Sequence, residues 1–183
     1  MSDAAKILLA LVAVMWAVEV VDVIVDHQLD QYGIEAREPE GLDGIVTAPF
    51  LHVGFGHLLA NTIPFVAMGA VIALEGPKRL VLVTVLVALI SGLGTWLVAA
   101  SGSVHVGASG IVFGYATYLI ARGVFNRNGT ELAIGAVVVL LWGGALLGGL
   151  EPQRGISWQG HLFGAIGGVI VASMLARRPE PEP

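Results

Sequence analysis

The sequence predicts an all-α membrane protein, a bundle of six transmembrane helices with both termini in the cytoplasm. Three observations carry that reading. Hydrophobic residues make up 56% of the 183 and charged residues only 13%, and mean hydropathy is +0.83. A soluble domain carries roughly 25% charged residues to cover its surface, so a water-soluble enzyme is excluded. The 25 glycines recur inside apolar runs, where small residues let helix backbones approach closely in lipid. Finally, the basic residues divide unevenly between the two sides that alternating helices would create.

The six apolar segments run near residues 5–25, 51–74, 80–100, 106–122, 132–150 and 158–176. Most approach the roughly 20 residues that a bilayer requires. The first follows Lys6 and resembles a signal peptide, but Glu19 and Asp22 arrive where a small-residue cleavage site belongs, so it reads as a retained helix. The fourth is short: its 17 residues reach only about 25 Å at 1.5 Å each, against a hydrocarbon core of about 30 Å. One of its ends therefore lies below the membrane surface.

With the N-terminus inside, the cytoplasmic side holds Lys6, Lys78, Arg79, Arg122, Arg127, Arg177 and Arg178, and the outer side holds Arg37 and Arg154. Seven basic residues against two fit the positive-inside rule. The loop 26–50 then lies outside; it is acidic, with Pro39, Gly41, Gly44 and Pro49. Residues 1–176 form one membrane domain, and 177–183 (RRPEPEP) form a short polar, Pro-rich tail expected to be disordered. The absence of Cys removes disulfides and thiolate chemistry. No basic patch with interleaved aromatics speaks for nucleic acid. The partner environment is the lipid bilayer, and no cofactor or metal is expected.

Polar residues inside such segments are expensive and mark function. All five histidines, His27, His52, His57, His105 and His161, fall at outer helix ends. His27 and His105 lie in or beside loops, where solvation accounts for them, and His52 opens the second segment. His57 and Asn61 stand four apart on one helix face, and suit a pair of donors aimed at one point, such as an oxyanion hole. The alternative is a hydrogen bond between helices. Ser109 sits in Gly107-Ala-Ser109-Gly110 at the recessed start of the short fourth helix, where free N–H groups and the positive dipole end favour a nucleophile that generates an oxyanion. Gly160, Gly164 and Gly168 form a small-residue ladder beside His161, and Gly110 and Gly114 form a matching pair beside Ser109. Packing these faces together brings Ser109 toward His161, with Phe113 placed to stack on the imidazole. Glu19, Asp22 and Asp26 share one face of the first helix and read as a polar stripe toward the bundle interior or outer loop rather than as a third catalytic member. A histidine metal site is the rival class. Against it, there is no His-Glu-x-x-His, and His52 and His57 lie roughly 140° apart around a helix. Nor is there the matched pair of broken helices that marks many transporters.

His52-Val-Gly-Phe-Gly-His57-Leu-Leu-Ala-Asn61, then Gly107-Ala-Ser109-Gly110, then Gly160-His161 in a Gly-rich final helix, resemble a rhomboid intramembrane serine protease of the six-helix bacterial form. The resemblance implies a Ser–His dyad without a carboxylate: Ser109 as nucleophile, His161 as general base, and an oxyanion held by His57, Asn61 and the Ser109 backbone N–H. It implies supporting roles for His52, Phe113, Gly107 and Gly110, with Phe113 standing where members often carry Tyr. The loop around Arg37 lacks the Trp-Arg pair of some members. Implied substrates are single-span proteins of the cell membrane, cut near the outer face beside small residues. A catalytically inactive binding module of the same fold is the alternative, although such relatives would be expected to lack the Ser or the His.

Overall fold

In the computed structural model, residues 1–153 and 155–176 are described; the expected tail 177–183 lies outside them. The chain forms α1 (Asp3–Ile24), β1 (Ile34–Glu35), a one-turn α2 (Gly44–Thr47), α3 (Phe55–Ala73), α4 (Pro77–Val98), β2 (Val104–His105), α5 (Ser109–Phe125), α6 (Gly129–Gly149) and α7 (Trp158–Met174). Among the described residues, four helices, α1, α3, α4 and α6, are long and apolar enough to cross a membrane; α5 is a shorter apolar helix of 17 residues. The second apolar segment differs from its sequence boundary. Its helix begins at Phe55, because Gly54 takes φ +88°, so His52 precedes the helix rather than opening it.

Tyr115, Tyr118, Phe65, Met68 and Leu119 lie at the centre of the core with exposures of 2% or less. Around them α5 packs on α7, α4 and α3, while α7 also lies along α4 and α1 along α3. The α5–α7 contact is closest because glycine faces glycine. A Cβ on Gly164 would strike the Gly110 carbonyl, and one on Gly168 the Gly114 carbonyl. Between α1 and α3, Trp16 Nε1 donates to Thr62 Oγ1 at 3.1 Å and its ring lies 6.0 Å from that of Phe55.

The loop 26–50 is ordered by short 3₁₀ turns and by an antiparallel pairing of β1 with β2, Ile34 opposite His105. This ribbon ties the long loop to the segment that leads into Ser109. At the opposite end of the bundle, Arg122 is 8% exposed. It pairs with Glu75 and with Glu131 at 3.3 Å, while Arg79 meets Glu75 at 3.5 Å.

Candidate active site

Ser109 is the first residue of α5, and the turn before it is held on both sides. Gly107 N–H donates to the Ala48 carbonyl at 2.8 Å, and Ala108 N–H donates to His52 Nε2 at 3.3 Å. Gly107 has φ +114°, a conformation open to glycine, and a Cβ there would lie 2.8 Å from His57 Cε1. His52 is wholly buried, and its ring meets that of His57 edge-on at 5.2 Å. It thus braces the lead-in to Ser109 from behind.

The glycine faces bring α5 and α7 together so that His161 Nε2 stands 2.8 Å from Ser109 Oγ. His161 Nδ1 lies 2.7 Å from the Gly149 carbonyl at the end of α6. A carbonyl can only accept, so Nδ1 carries the ring proton. Nε2 is then the free lone pair, directed at the serine hydroxyl, which is the tautomer a general base needs. Phe113 stacks on the imidazole, with centroids 4.1 Å apart and planes 6° from parallel. Gly149 allows both contacts: a Cβ there would stand 2.6 Å from Phe113 Cζ and 2.9 Å from His161 Nδ1. Gly149 carries no side-chain signature, so sequence reasoning has no signal by which to find it.

His57 and Asn61 face the same cavity as Ser109 and His161, a cleft of about 640 Å³ that α6 closes with Trp142, Leu146 and Gly149. Asn61 donates one N–H to its own helix, to the His57 carbonyl at 3.0 Å, which leaves its second N–H for a ligand. His57 Nδ1 accepts from Val53 N–H at 3.4 Å, which in the neutral ring puts the proton on Nε2. The cavity therefore gathers a serine, a correctly oriented imidazole, two side-chain donors and the N–H groups at a helix start. That set suits acyl transfer through a tetrahedral oxyanion.

The remaining candidates stand apart. His105 is half-buried rather than solvated: its ring bonds Ser103 Oγ and Ser157 Oγ, each at 2.8 Å, and burial lowers its pKa. Glu19 and Asp22 are buried, at 0% and 1% exposure, and Asp26 is exposed. Asp22 accepts from Leu29 N–H at 2.7 Å and meets His27 Nδ1 at 3.1 Å, so it organises the turn after α1. Possible ligand atoms of Asp22, His27 and Asp30 lie within 4.8 Å of one another. Burial, and then the charge of Asp22, raises the pKa of Asp30. None of these carboxylates bonds His161.

The family described as the Rhomboid domain matches residues 39–178, the stretch that contains every residue of this cavity. The chain is 41% identical over 177 residues to an uncharacterized protein of Mycobacterium tuberculosis, a match covering 92% of this chain and 74% of that one. A Mycobacterium leprae protein, also uncharacterized, is 41% identical over 177 residues, covering 92% and 70%. YdcA of Bacillus subtilis, provisionally named a rhomboid protease, is 32% identical over 141 residues, covering 74% of this chain and 68% of its own. With its four long apolar helices, this multi-pass membrane protein belongs to the rhomboid family.

Proposed function

We propose that the chain is an intramembrane serine endopeptidase of the cell membrane that cuts transmembrane segments of single-span proteins near the outer face. The observation that carries this is the 2.8 Å contact of Ser109 Oγ with an imidazole whose other nitrogen is bound to a carbonyl. In this reading residues 1–176 are one domain of six spans, with both termini cytoplasmic and 177–183 a polar tail. The recessed start of α5 then puts Ser109 below the outer surface.

Neutral His161 takes the Ser109 proton as Oγ attacks the scissile carbonyl. The Gly149 carbonyl holds the ring in orientation and receives the N–H of the imidazolium that forms. His57, Asn61 and the Ser109 N–H bind the oxyanion. His161 then passes its proton to the leaving amine, and the acyl-enzyme remains. Water enters the cleft, gives its proton to His161 and hydrolyses the ester. His52 and Gly107 hold the turn before Ser109, Gly110 permits the close approach of α7, and Phe113 fixes the ring plane.

A peptide bond inside a helix is shielded and already hydrogen-bonded, so the substrate segment must unwind. Gly or Pro lowers that cost by about 1–3 kcal/mol each. Cleavage is therefore expected beside small residues followed by helix-destabilising ones. The test is fluorophosphonate labelling of the detergent-solubilised protein. Wild type labels, Ser109→Ala does not, and a chelator changes nothing. Equal labelling of the two proteins overturns the proposal.

A further inference from the structure

His105 takes no part in the chemistry above, yet both its ring nitrogens are committed. Their protons can be counted. Ser103 Oγ stands 2.5 Å from the Ala100 carbonyl, which only accepts, so the single serine proton goes there. Ser103 Oγ therefore accepts from His105 Nε2 at 2.8 Å, and Nε2 holds the ring proton. In the neutral imidazole Nδ1 is then an acceptor, and the group facing it at 2.8 Å, Ser157 Oγ, donates. With its proton so directed, Ser157 Oγ presents lone pairs to the Gly160 N–H, 3.4 Å away, as the N-cap of α7. The Ser157 carbonyl in turn accepts the backbone N–H of His161 at 3.1 Å.

His105 is itself anchored. It pairs with Ile34 across the β1–β2 ribbon and stands four residues before Ser109 on the segment that delivers the serine. One side chain thus links the lead-in to Ser109 with the first turn of the helix that bears His161. We propose that His105 is a positioning residue for the reaction: its neutral ring accepts the Ser157 hydroxyl proton and so sets the separation of Ser109 and His161. This rests on the reading of those two residues as a dyad. Proton transfer depends steeply on such a separation, and a 1 Å displacement costs about 10²-fold in rate.

The test uses His105→Gln and His105→Asn in the full chain, with cleavage of a single-span reporter, the rate of fluorophosphonate labelling, and the thermal midpoint of each protein. Gln puts its amide where Nε2 stood, so it retains Ser103 and loses the acceptor for Ser157. Asn puts an acceptor where Nδ1 stood. The expected result for Gln is a fall of about tenfold in kcat and in labelling rate, with KM within about twofold; Asn restores both to within about threefold of wild type. Ser157→Ala falls at least as far, and adding His105→Gln to it costs nothing more, because the two act through one bond. The proposal is overturned if Gln matches wild type, if Asn is as slow as Gln, or if the loss tracks only the unfolded fraction. Ser109→Ala runs beside them: cleavage by that variant would remove the dyad itself, whereas a dead Ser109→Ala with a fully active His105→Gln removes only the positioning role.

Discussion

At the cavity end of the bundle Ser109, His161, His57 and Asn61 meet through neutral hydrogen bonds around open space. At the opposite end Arg122, Glu75, Arg79 and Glu131 meet as ion pairs. Both clusters bury polar atoms in an apolar chain, and the difference lies in what is left over. Arg122 spends its guanidinium on two carboxylates and lies over the Tyr118 ring, 6.0 Å from its centroid. Glu131 also accepts from Asn126 at 2.7 Å. This network joins the ends of α3, α4, α5 and α6, and a buried pair of this kind penalises the loss of either partner. At the cavity end donors on His57 and Asn61 remain to be used, and the lone pair of His161 meets only the Ser109 hydroxyl. Paired charge fixes the fold, while neutral groups with unspent capacity suit a reaction in which charge appears and disappears.

The largest expected effect comes from removing Ser109 or His161. Ser109→Ala and His161→Ala are each expected to lower cleavage by about 10⁴-fold or more with the thermal midpoint nearly unchanged, measured on a single-span reporter in detergent or vesicles. Retained activity in either would assign the cavity end a packing role like that of the opposite end. Removing a donor should cost less. Asn61→Ala and His57→Ala are expected to fall about 10²- to 10³-fold in kcat. A loss in KM alone would mean that they bind substrate and not the oxyanion.

The fold was legible wherever side chains carry the message. Apolar runs located the helices, and glycines at intervals of four identified the α5–α7 contact that joins Ser109 to His161. What the sequence hid is backbone or long-range. The Gly149 carbonyl that orients His161 belongs to a residue without a side chain. The start of α3 at Phe55 depends on the positive φ of Gly54, so a sequence reading makes His52 open the helix that it in fact precedes. His105 read as a solvated loop residue because its partner Ser157 is 52 positions away. Arg122 read as a marker of the cytoplasmic side, and nothing local paired it with Glu75, 47 positions earlier.

Acidification sharpens the contrast between the two ends, because histidines sit at only one of them. His161 must be neutral to act as base, so kcat should fall about tenfold per pH unit once its imidazole protonates, following ordinary titration of a single essential base. A rate that rose steadily toward pH 5 would contradict the assignment. His105 adds a stability effect of known sign. Burial holds its folded pKa below the usual value near 6.5. Above that value both folded and unfolded chains carry it neutral, and stability is complete. As pH falls below about 6.5 the unfolded chain takes up a proton that the folded chain resists, and stability is lost through that window. On acidification the thermal midpoint of wild type should therefore fall further than that of His105→Asn.

The smallest expected effect on rate comes from the charged end. Arg122→Met replaces the apolar stem of the side chain, removes the guanidinium, and takes from Glu75 and Glu131 the cation they share. Removing one partner of a buried pair costs about 3 kcal/mol or more, so the thermal midpoint should fall clearly. Glu131 keeps its bond to Asn126 and Glu75 keeps Arg79, which limits the collapse to this corner. The cavity lies at the other end of α5, and its geometry is set by the glycine contacts with α7 rather than by the ion pairs. At a temperature where the variant is fully folded, kcat should stay within about twofold of wild type, since sites this far apart with no shared partners behave independently. A large fall in kcat with the protein still folded would mean that the two ends are coupled through α5, and that the charged network helps to hold Ser109 against His161.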